Sequence, residues 1–339
     1  MSLPPNDFTG NIDRFSGFAD LYDKYRPEPP AIIAPILMRL AQSVFPQRVV
    51  DLGCGTGLST RYWTDKVREV IGIEPSADMR HQAEVQTRAR NVSYREGLSH
   101  QTGLPDQCAQ IVTCSQALHW MEPQATFQEV ARILNPGGVF AAYDYDWPPT
   151  TGSWEADAAY EECMRRVRVY EKELEAKSPV KRWGKNQHLA RMKASGCFRY
   201  VKEIVVHHLD NGNAERFIGI FLSQGGVMAL LKNGLSEKQM GIDRLREIAK
   251  QTLGTEDESW YWSYRLRLGV VLQSASPSKF IQSDASSKSW SLIVRDILFR
   301  CFCLSSCLTI MSATPGCSFG KDQTFRCTTI QARVAFGNT

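Results

Sequence analysis

The chain has 339 residues, of which 43% are hydrophobic and 22% charged, and this composition excludes a globally disordered or collagen-like protein. The formal net charge of +4 is too small to indicate a nucleic-acid-binding protein. Residues 273–339 hold seven basic and three acidic side chains, so this tail carries the whole excess and residues 1–272 are neutral.

The sequence also bears on the location of the protein in the cell. The first residues have neither the basic segment nor the apolar segment of a secretory signal. No uncharged run of 18 apolar residues occurs. We therefore expect a cytoplasmic protein that has no membrane partner and keeps its ten cysteines as free thiols.

Strands and helices alternate through the first 150 residues. Short apolar runs predict strands over 48–52, 69–74, 92–96, 110–115 and 139–145. Longer segments predict helices over 32–45, 76–90 and 127–134, and a further helix that ends at residue 66. Ser76 is the expected N-cap of its helix. This alternation predicts an α/β fold in which a mainly parallel sheet has helices on both faces.

The pattern changes after residue 150. Charged and apolar periodicity predicts helices over 153–177, 186–195 and most of 214–253. Strands are predicted over 201–209 and 259–272, the second of them as an antiparallel strand that closes the sheet.

Four regions follow from these shifts in pattern. We expect an N-terminal lid segment over 1–30, a ligand-binding core over 31–149, and a helical cap with closing strands over 150–272. The tail over 273–339 contains apolar, cysteine-rich stretches without periodicity. Such stretches make poor folding units, which predicts that the tail is disordered or is not native sequence.

A strand, a glycine-rich turn and a helix follow one another at 49–57, where the sequence reads VVDLGCGTG. The glycines Gly53, Gly55 and Gly57 allow a ligand to approach the backbone closely, and the start of the helix offers N–H groups to an anion. The dinucleotide fingerprint G-x-G-x-x-G is absent, because the sixth position is not glycine in either register. The turn therefore disfavours a cofactor such as NAD or FAD.

An acidic residue ends the second predicted strand. Glu74 lies 23 residues after Asp51, and a carboxylate at this place in a nucleotide-binding fold can accept both hydroxyl groups of a ribose. The spacing predicts that Glu74 binds a ribose.

Four blocks of sequence occur in a characteristic order. They read DLGCGTG at 51–57, VIGIEPSADM at 70–79, LPDQCAQIVTCSQALHWME at 104–122 and EVARILNPGGVFAAYDYDWP at 129–148. Together they resemble the class I methyltransferases that depend on S-adenosylmethionine (SAM), in particular the type-11 domain and the trans-aconitate-methyltransferase-like enzymes of small molecules. The resemblance covers about residues 12–272. It implies a Rossmann-like seven-stranded sheet with a helical cap, with SAM as the cofactor.

The resemblance also implies which residues hold the cofactor. These residues are Tyr25, Arg26, Asp51, Gly53, Gly55, Gly57, Glu74, Pro75, Met79, Leu98, Ser99 and Gln116. Asp51 and the first two glycines would contact the methionine part, and Gly57 would let the helix pack closely. Met79 would touch the adenine. Arg26 would close the lid beside Tyr25 and pair with the SAM carboxylate.

One departure from the family pattern concerns the adenine. The family has Gly-Asp-Ala after its third strand, whereas this chain has Gly97-Leu98-Ser99. The acid that binds the adenine amino group is absent, so we expect backbone groups near Leu98 and Ser99, or His100, to replace it. This departure leaves open a protein that binds SAM without catalysis.

Catalysis would require little dedicated chemistry. In a methyl transfer from SAM the sulfur leaves neutral, so positioning of the acceptor is the main requirement, and a base is needed only if the acceptor must lose a proton. The candidates are His119, which follows the fourth strand, and Tyr143, in the fifth. No metal is expected, because His207 and His208 are adjacent on a strand and point to opposite faces.

The resemblance favours methyl transfer to a small organic acceptor that offers a carboxylate, hydroxyl or amine. We expect neither a nucleic-acid nor a membrane partner, and a monomer or weak homodimer. The alternatives are a SAM-binding protein without activity and an NAD-type oxidoreductase. A methyltransferase of tRNA or protein is disfavoured by the neutral body and by the absence of an N-P-P-Y-like motif.

Overall fold

A seven-stranded sheet forms the centre of the computed structural model, which describes residues 8–14, 19–177 and 180–271. The strands are β1 (Arg48–Leu52), β2 (Glu69–Ile73), β3 (Val92–Arg95), β4 (Ala109–Ser115), β5 (Leu134–Tyr145), β6 (Tyr200–Gly212) and β7 (Glu258–Val270). Their order across the sheet is β3-β2-β1-β4-β5-β7-β6. The predicted tail over 273–339 lies outside the described residues.

Strands β1 to β5 are parallel, and β7 lies antiparallel between β5 and β6. The inner strands are nearly continuous apolar runs because helices cover both of their faces. Strand β6 stands at the edge of the sheet, and its residues alternate between more and less exposed positions. The α/β fold class, the mainly parallel sheet and the closing antiparallel strand are thus confirmed.

The helices pack on both faces of the sheet. They are α1 (Thr9–Asp13), α2 (Ala19–Tyr25), α3 (Ile33–Leu40), α4 (Leu58–Arg61), α5 (Ala77–Gln86), α6 (Pro123–Ile133), α7 (Trp154–Lys177), α8 (His188–Ala194), α9 (Ala214–Leu222), α10 (Gly225–Lys232), α11 (Glu237–Met240) and α12 (Ile242–Thr252). Val49 and Val50 belong to two different hydrophobic clusters. Because neighbouring residues of a strand point to opposite faces, each face of the sheet has its own core.

Periodicity and capping residues in the sequence predict most helix and strand boundaries to within a few residues of those in the structure. Ser76 caps α5 as predicted, and its hydroxyl accepts a hydrogen bond from Met79 N at 3.4 Å. Helix α6 starts earlier than predicted, because Pro123 occupies its first turn and Glu122 caps it through two backbone N–H groups.

The segment Pro136-Gly137-Gly138, whose residue types are typical of a turn, is part of β5 in the structure. Pairing between β4 and β5 jumps from Ala109–Leu134 to Ile111–Val139, and Gly137 has φ of +79° between these two pairs. The strand therefore contains an irregularity where the sequence suggested a separate turn.

Among the described residues, no single helix is long and apolar enough to cross a bilayer. Helices α9 and α10 reach that length and composition only when they are taken together, and they are bent by 70° relative to each other.

The aromatic packing beneath β5 should contribute strongly to stability. Phe140 is fully buried, and its ring stacks on Phe198 with centroids 5.7 Å apart. We expect Phe140→Ala to lower the free energy of unfolding by about 3–5 kcal/mol, because it leaves a large cavity. Urea unfolding would measure the change. Phe45→Ala, at a half-exposed ring, is the control and should cost less than about 0.5 kcal/mol. Equal losses in both variants would contradict this account of the core.

Candidate functional site

A first cavity opens at the carboxyl ends of the parallel strands. Its walls include residues that directly follow β1, β2, β3 and β4. The strand order reverses between β1 and β4, and ligands of open α/β sheets bind at such a switch point.

Eight of the twelve residues predicted to hold the cofactor line this cavity. They are Gly53, Gly55, Glu74, Pro75, Met79, Leu98, Ser99 and Gln116. The structure brings these residues together from four separate loops. Their proposed contacts with a cofactor stay predictions.

The glycine-rich turn is held in a conformation that suits glycine. Gly53 and Gly55 have φ of +63° and +55°. A Cβ on Gly53 would lie 2.6 Å from Met121 Cε, whereas a Cβ on Gly55 would meet no atom within 4 Å. Both glycines line the cavity, so the space beside Gly55 is available to a ligand.

Glu74 joins the ends of β1 and β2. Its two carboxylate oxygens accept hydrogen bonds from Gly55 N and Ser76 N, both at 3.0 Å. Burial raises the pKa of Glu74, although these two backbone donors oppose the shift. Each carboxylate oxygen retains a further acceptor position, so Glu74 can also accept hydroxyl groups from a ligand.

Asp51 was predicted to contact the methionine part of the cofactor, but it does not line the first cavity. Its carboxylate is fully buried and accepts hydrogen bonds from three hydroxyls, Ser59 at 2.6 Å and Thr60 and Thr113 at 2.8 Å. Burial raises the pKa of Asp51 against these three donors. Asp51 therefore ties α4 and β4 to β1 behind the glycine-rich turn.

Gly57 and Tyr25 also lie away from the first cavity. A Cβ on Gly57 would clash with the hydroxyl of Tyr94, which agrees with the close packing predicted there. The Tyr25 hydroxyl donates to Glu215 at 3.0 Å, and its ring packs on Gly219. One turn earlier on α2, Tyr22 lines the cavity instead.

A second cavity adjoins the first and shares Tyr22, Gln116 and Trp120 with it. Its other walls come from the end of β5, from α7, from residues 182–186 and from the start of α10. Its lining also includes Arg26, His119, Tyr145, Trp147, Tyr160 and Lys185.

The two candidate catalytic residues differ in position. His119 lines the second cavity, and its Nδ1 has no hydrogen-bond partner among the described residues. Burial, followed by the charge of Lys185, holds the pKa of His119 well below 6.5, so the imidazole is neutral at neutral pH.

Tyr143 is fully buried in a hydrophobic cluster and lines neither cavity. Two residues further along the same face of β5, Tyr145 reaches the second cavity. The structure therefore does not support Tyr143 as a group that touches a ligand. Its main-chain oxygen accepts a hydrogen bond from Gln116 N at 2.9 Å.

A series of hydrogen bonds and ion pairs connects residues at the two cavities. Lys185 Nζ donates to Gln116 Oε1 at 2.9 Å and lies 2.8 Å from an oxygen of Asp144. The other oxygen of Asp144 accepts from Arg267 at 2.7 Å. Burial alone would raise the pKa of Asp144, but Lys185, His119 and Arg267 lower it to about 2. Sequence reasoning missed Lys185, because no local motif connects it to residues so distant in the chain.

The N-terminal segment covers the first cavity. Asn11 is buried, and its side chain donates to Trp120 O at 3.2 Å and Lys181 O at 2.8 Å, while its oxygen accepts from Lys181 N at 2.9 Å. Phe8 and Ile12 also line the cavity. Sequence reasoning predicted a lid here but not these residues, two of which precede the part of the chain covered by the resemblance.

Part of the chain is similar in sequence to known methyltransferases. Residues 50–142 match the family model described as a methyltransferase domain. A probable S-adenosylmethionine-dependent methyltransferase of Saccharomyces cerevisiae, CRG1, is 30% identical over 132 residues, which are 38% of this chain and 45% of that protein. A malonyl-[acyl-carrier protein] O-methyltransferase of Pectobacterium atrosepticum is 38% identical over 96 residues, or 28% and 37% of the two chains.

Among solved structures, one described as a type II methyltransferase from Anaeromyxobacter dehalogenans matches with a TM-score of 0.52 and 21% identity. The match covers 74% of this chain and 100% of that one. This likeness supports the fold. The matches span less than half the length of each curated relative named above.

A buried histidine near the second cavity should make stability depend on pH. His188 is fully buried, and neither ring nitrogen has a partner among the described residues. Burial is the main cause that lowers its pKa to about 4. The unfolded chain binds this proton near pH 6.5, so the free energy of unfolding should fall as pH drops from 6.5 towards 4, by on the order of 2 kcal/mol.

Urea unfolding at pH 7, 5.5 and 4.5 measures this dependence. We expect His188→Leu to reduce this dependence without abolishing it, because the lowered pKa of buried His119 acts in the same direction, while His207→Gln, at an exposed position, should leave it unchanged. An identical pH dependence in His188→Leu and in the unsubstituted protein would contradict the assignment to His188.

Proposed function

We propose that this chain, in which residues 50–142 match the model of a methyltransferase domain, transfers a methyl group from SAM to a small organic acceptor. The observation that carries the proposal is the junction of the two cavities at Tyr22, Gln116 and Trp120. A cofactor in the first cavity and an acceptor in the second would meet there, which is the arrangement that a direct transfer requires.

The residues of the first cavity fit SAM. The open space beside Gly55 accepts a ligand against the main chain, and Glu74 can accept ribose hydroxyls. The side-chain nitrogen of Gln116 is buried and has no partner among the described residues. It can donate to the methionine end of the cofactor. When bound, SAM supplies a methyl group on a positively charged sulfur that leaves as a neutral thioether.

The adenine end would be held differently from the family pattern. The hydroxyl of Ser99 already shares a hydrogen bond with Thr126 Oγ1 at 2.8 Å. Met79 and Leu98 line the cavity as apolar walls. The main chain near Ser99 and the ring of His100 are therefore the groups that we propose for the adenine amino group.

The chain would promote the reaction mainly by holding both ligands in place. Oriented binding is worth up to about 7–11 kcal/mol of the barrier. Phe8 and Ile12 belong to the N-terminal segment. They line the first cavity and would help to exclude water from it. His119 is neutral and faces the second cavity, so it can accept a proton from a hydroxyl or amine acceptor, whereas a carboxylate acceptor would not need it.

A small acceptor fits better than a macromolecule. The second cavity lies between the end of β5 and the cap formed by α7 and α10, and residues 1–272 have no net charge that would attract nucleic acid. We propose that residues 8–30 act as the lid, that 31–149 bind the cofactor, and that 150–271 form the cap.

Binding of the cofactor is the first test. We expect the full chain to bind S-adenosylhomocysteine (SAH) in calorimetric titration. Glu74→Ala should raise the Kd about tenfold to hundredfold, because a buried charged acceptor is lost; this corresponds to about 1.4–2.8 kcal/mol. Glu69→Ala, at the opposite end of β2 and half-exposed, is the matched control and should bind like the unsubstituted protein.

A folded chain that binds neither SAM nor SAH would contradict the proposed function. Binding of NADH by the same protein would favour the oxidoreductase alternative instead. SAH binding without turnover on any small acceptor would favour a SAM-binding protein without activity.

A further inference from the structure

A third cavity lies at the opposite edge of the sheet from the first. The residues that line it begin β1 and β2 or lie one or two residues before β1, β2, β3 or β4, whereas the first cavity opens at the carboxyl ends of these strands. Its volume is about 610 Å³. Its charged residues are Arg48, Arg68, Arg90 and Glu69, so positive charge is in excess there.

The carboxylate that lines this cavity is already paired. Glu69 Oε2 accepts a hydrogen bond from Arg48 Nε at 2.7 Å, and Arg48 Nη1 also donates to Cys108 O at 3.4 Å. The side chains of Arg68 and Arg90 have no hydrogen bond, ion pair or aromatic contact among the residues that the structure describes. The positive charges of these two arginines therefore lack an acidic counterpart in the described part of the chain.

The strand register brings the two unpaired arginines to neighbouring positions. Val70 of β2 pairs with Val92 of β3, and Arg68 and Arg90 each lie two residues before a member of this pair. Neighbouring strands are about 4.8 Å apart, and an arginine side chain is longer than that. Both guanidinium groups can thus reach one small ligand.

A buried amide holds the two segments together. The side-chain nitrogen of Asn91 donates to Thr64 O at 2.8 Å and to Val67 O at 3.1 Å. Arg68 follows Val67 directly, and Arg90 directly precedes Asn91. These bonds fix the backbone from which both arginines extend, so part of the cost of arranging them is met by the fold.

Two guanidinium groups without a carboxylate attract an oxyanion. Each presents a planar fork of N–H groups that matches two oxygens of a phosphate. A phosphate monoester carries about two negative charges at neutral pH and offers three acceptor oxygens. One such group can therefore accept hydrogen bonds from both arginines and neutralise their charge.

We propose that the third cavity binds the phosphate group of a phosphate monoester through Arg68 and Arg90. This site is separate from the two cavities assigned to cofactor and acceptor, and it does not depend on the proposed methyl transfer. The monoester belongs either to a soluble small molecule or to a lipid headgroup. The lipid is a relevant source because Val44 and Phe45, shortly before Gln47 of the cavity wall, are 92% and 53% exposed.

Titration with sn-glycerol 3-phosphate tests the site. We would measure its binding to the full-length protein by calorimetry and compare it with dimethyl phosphate, a diester with a single charge. We expect the monoester to bind at least about tenfold more tightly, because only the monoester can serve both arginines. Arg68→Gln and Arg90→Gln should each raise the Kd of the monoester about tenfold, with a smaller rise in Arg90→Lys, which keeps the charge but loses the fork.

The matched control is Arg88→Gln. It removes the same charge from an exposed arginine two residues before Arg90 that does not line the cavity. Its Kd should stay within about twofold of that of the unsubstituted protein, because solvent and salt screen a charge outside the site. Thermal melting would verify that all variants fold. Equal losses in Arg88→Gln and Arg90→Gln, or no binding of glycerol 3-phosphate by folded protein, would overturn the proposal.

Vesicle flotation distinguishes the two sources of the phosphate. We would compare vesicles of phosphatidylcholine alone with vesicles that also contain phosphatidic acid, whose headgroup is a phosphate monoester. Flotation with phosphatidic acid that is lost in both Arg90→Gln and Phe45→Ser would assign the site to a lipid. Binding of glycerol 3-phosphate without flotation would assign it to a soluble monoester. Flotation that persists in both arginine-to-glutamine variants would overturn the proposal.

Discussion

The buried carboxylate of Asp51 joins the chain segments on which the site depends. By accepting three hydroxyl donors from α4 and β4, it fixes both segments to β1. The turn between β1 and α4 is then held at its other side, because Gly53 N donates to Ile73 O and Gly55 N to Glu74. These contacts within the protein hold the left-handed glycines in place, which is how a binding site becomes preorganised.

A second constraint connects the two cavities electrostatically. Lys185 belongs to the segment that borders the second cavity, yet it bonds Gln116, which lines both. Asp144 compensates its charge and is in turn paired with Arg267. Because buried charges are costly unless they are paired, movement of the segment around Lys185 would disturb Asp144 and Gln116 together. Lys185 thus connects the segment beside the second cavity to Gln116, where the two cavities meet.

The N-terminal segment also contacts residues beside both cavities. Asn11 bonds the main chain of both Trp120 and Lys181, so the cover of the first cavity is attached to the segment beside the second. The guanidinium groups of Arg14 and Arg182 each lie over the Trp120 ring, 5.3 and 4.8 Å from its centroid.

The sequence by itself determined the strands, the glycine-rich turn, the Ser76 cap and the position of Glu74, because periodicity, glycine and capping act within a few residues. It also determined the fold class, since the order of these elements limits the topology. Only the tertiary structure decided which side chains face a ligand. The Asp51 carboxylate contacts hydroxyl groups behind the glycine-rich turn, Tyr143 lies in the core, and Arg26 lines the second cavity. Each of these positions depends on packing against segments distant in the chain.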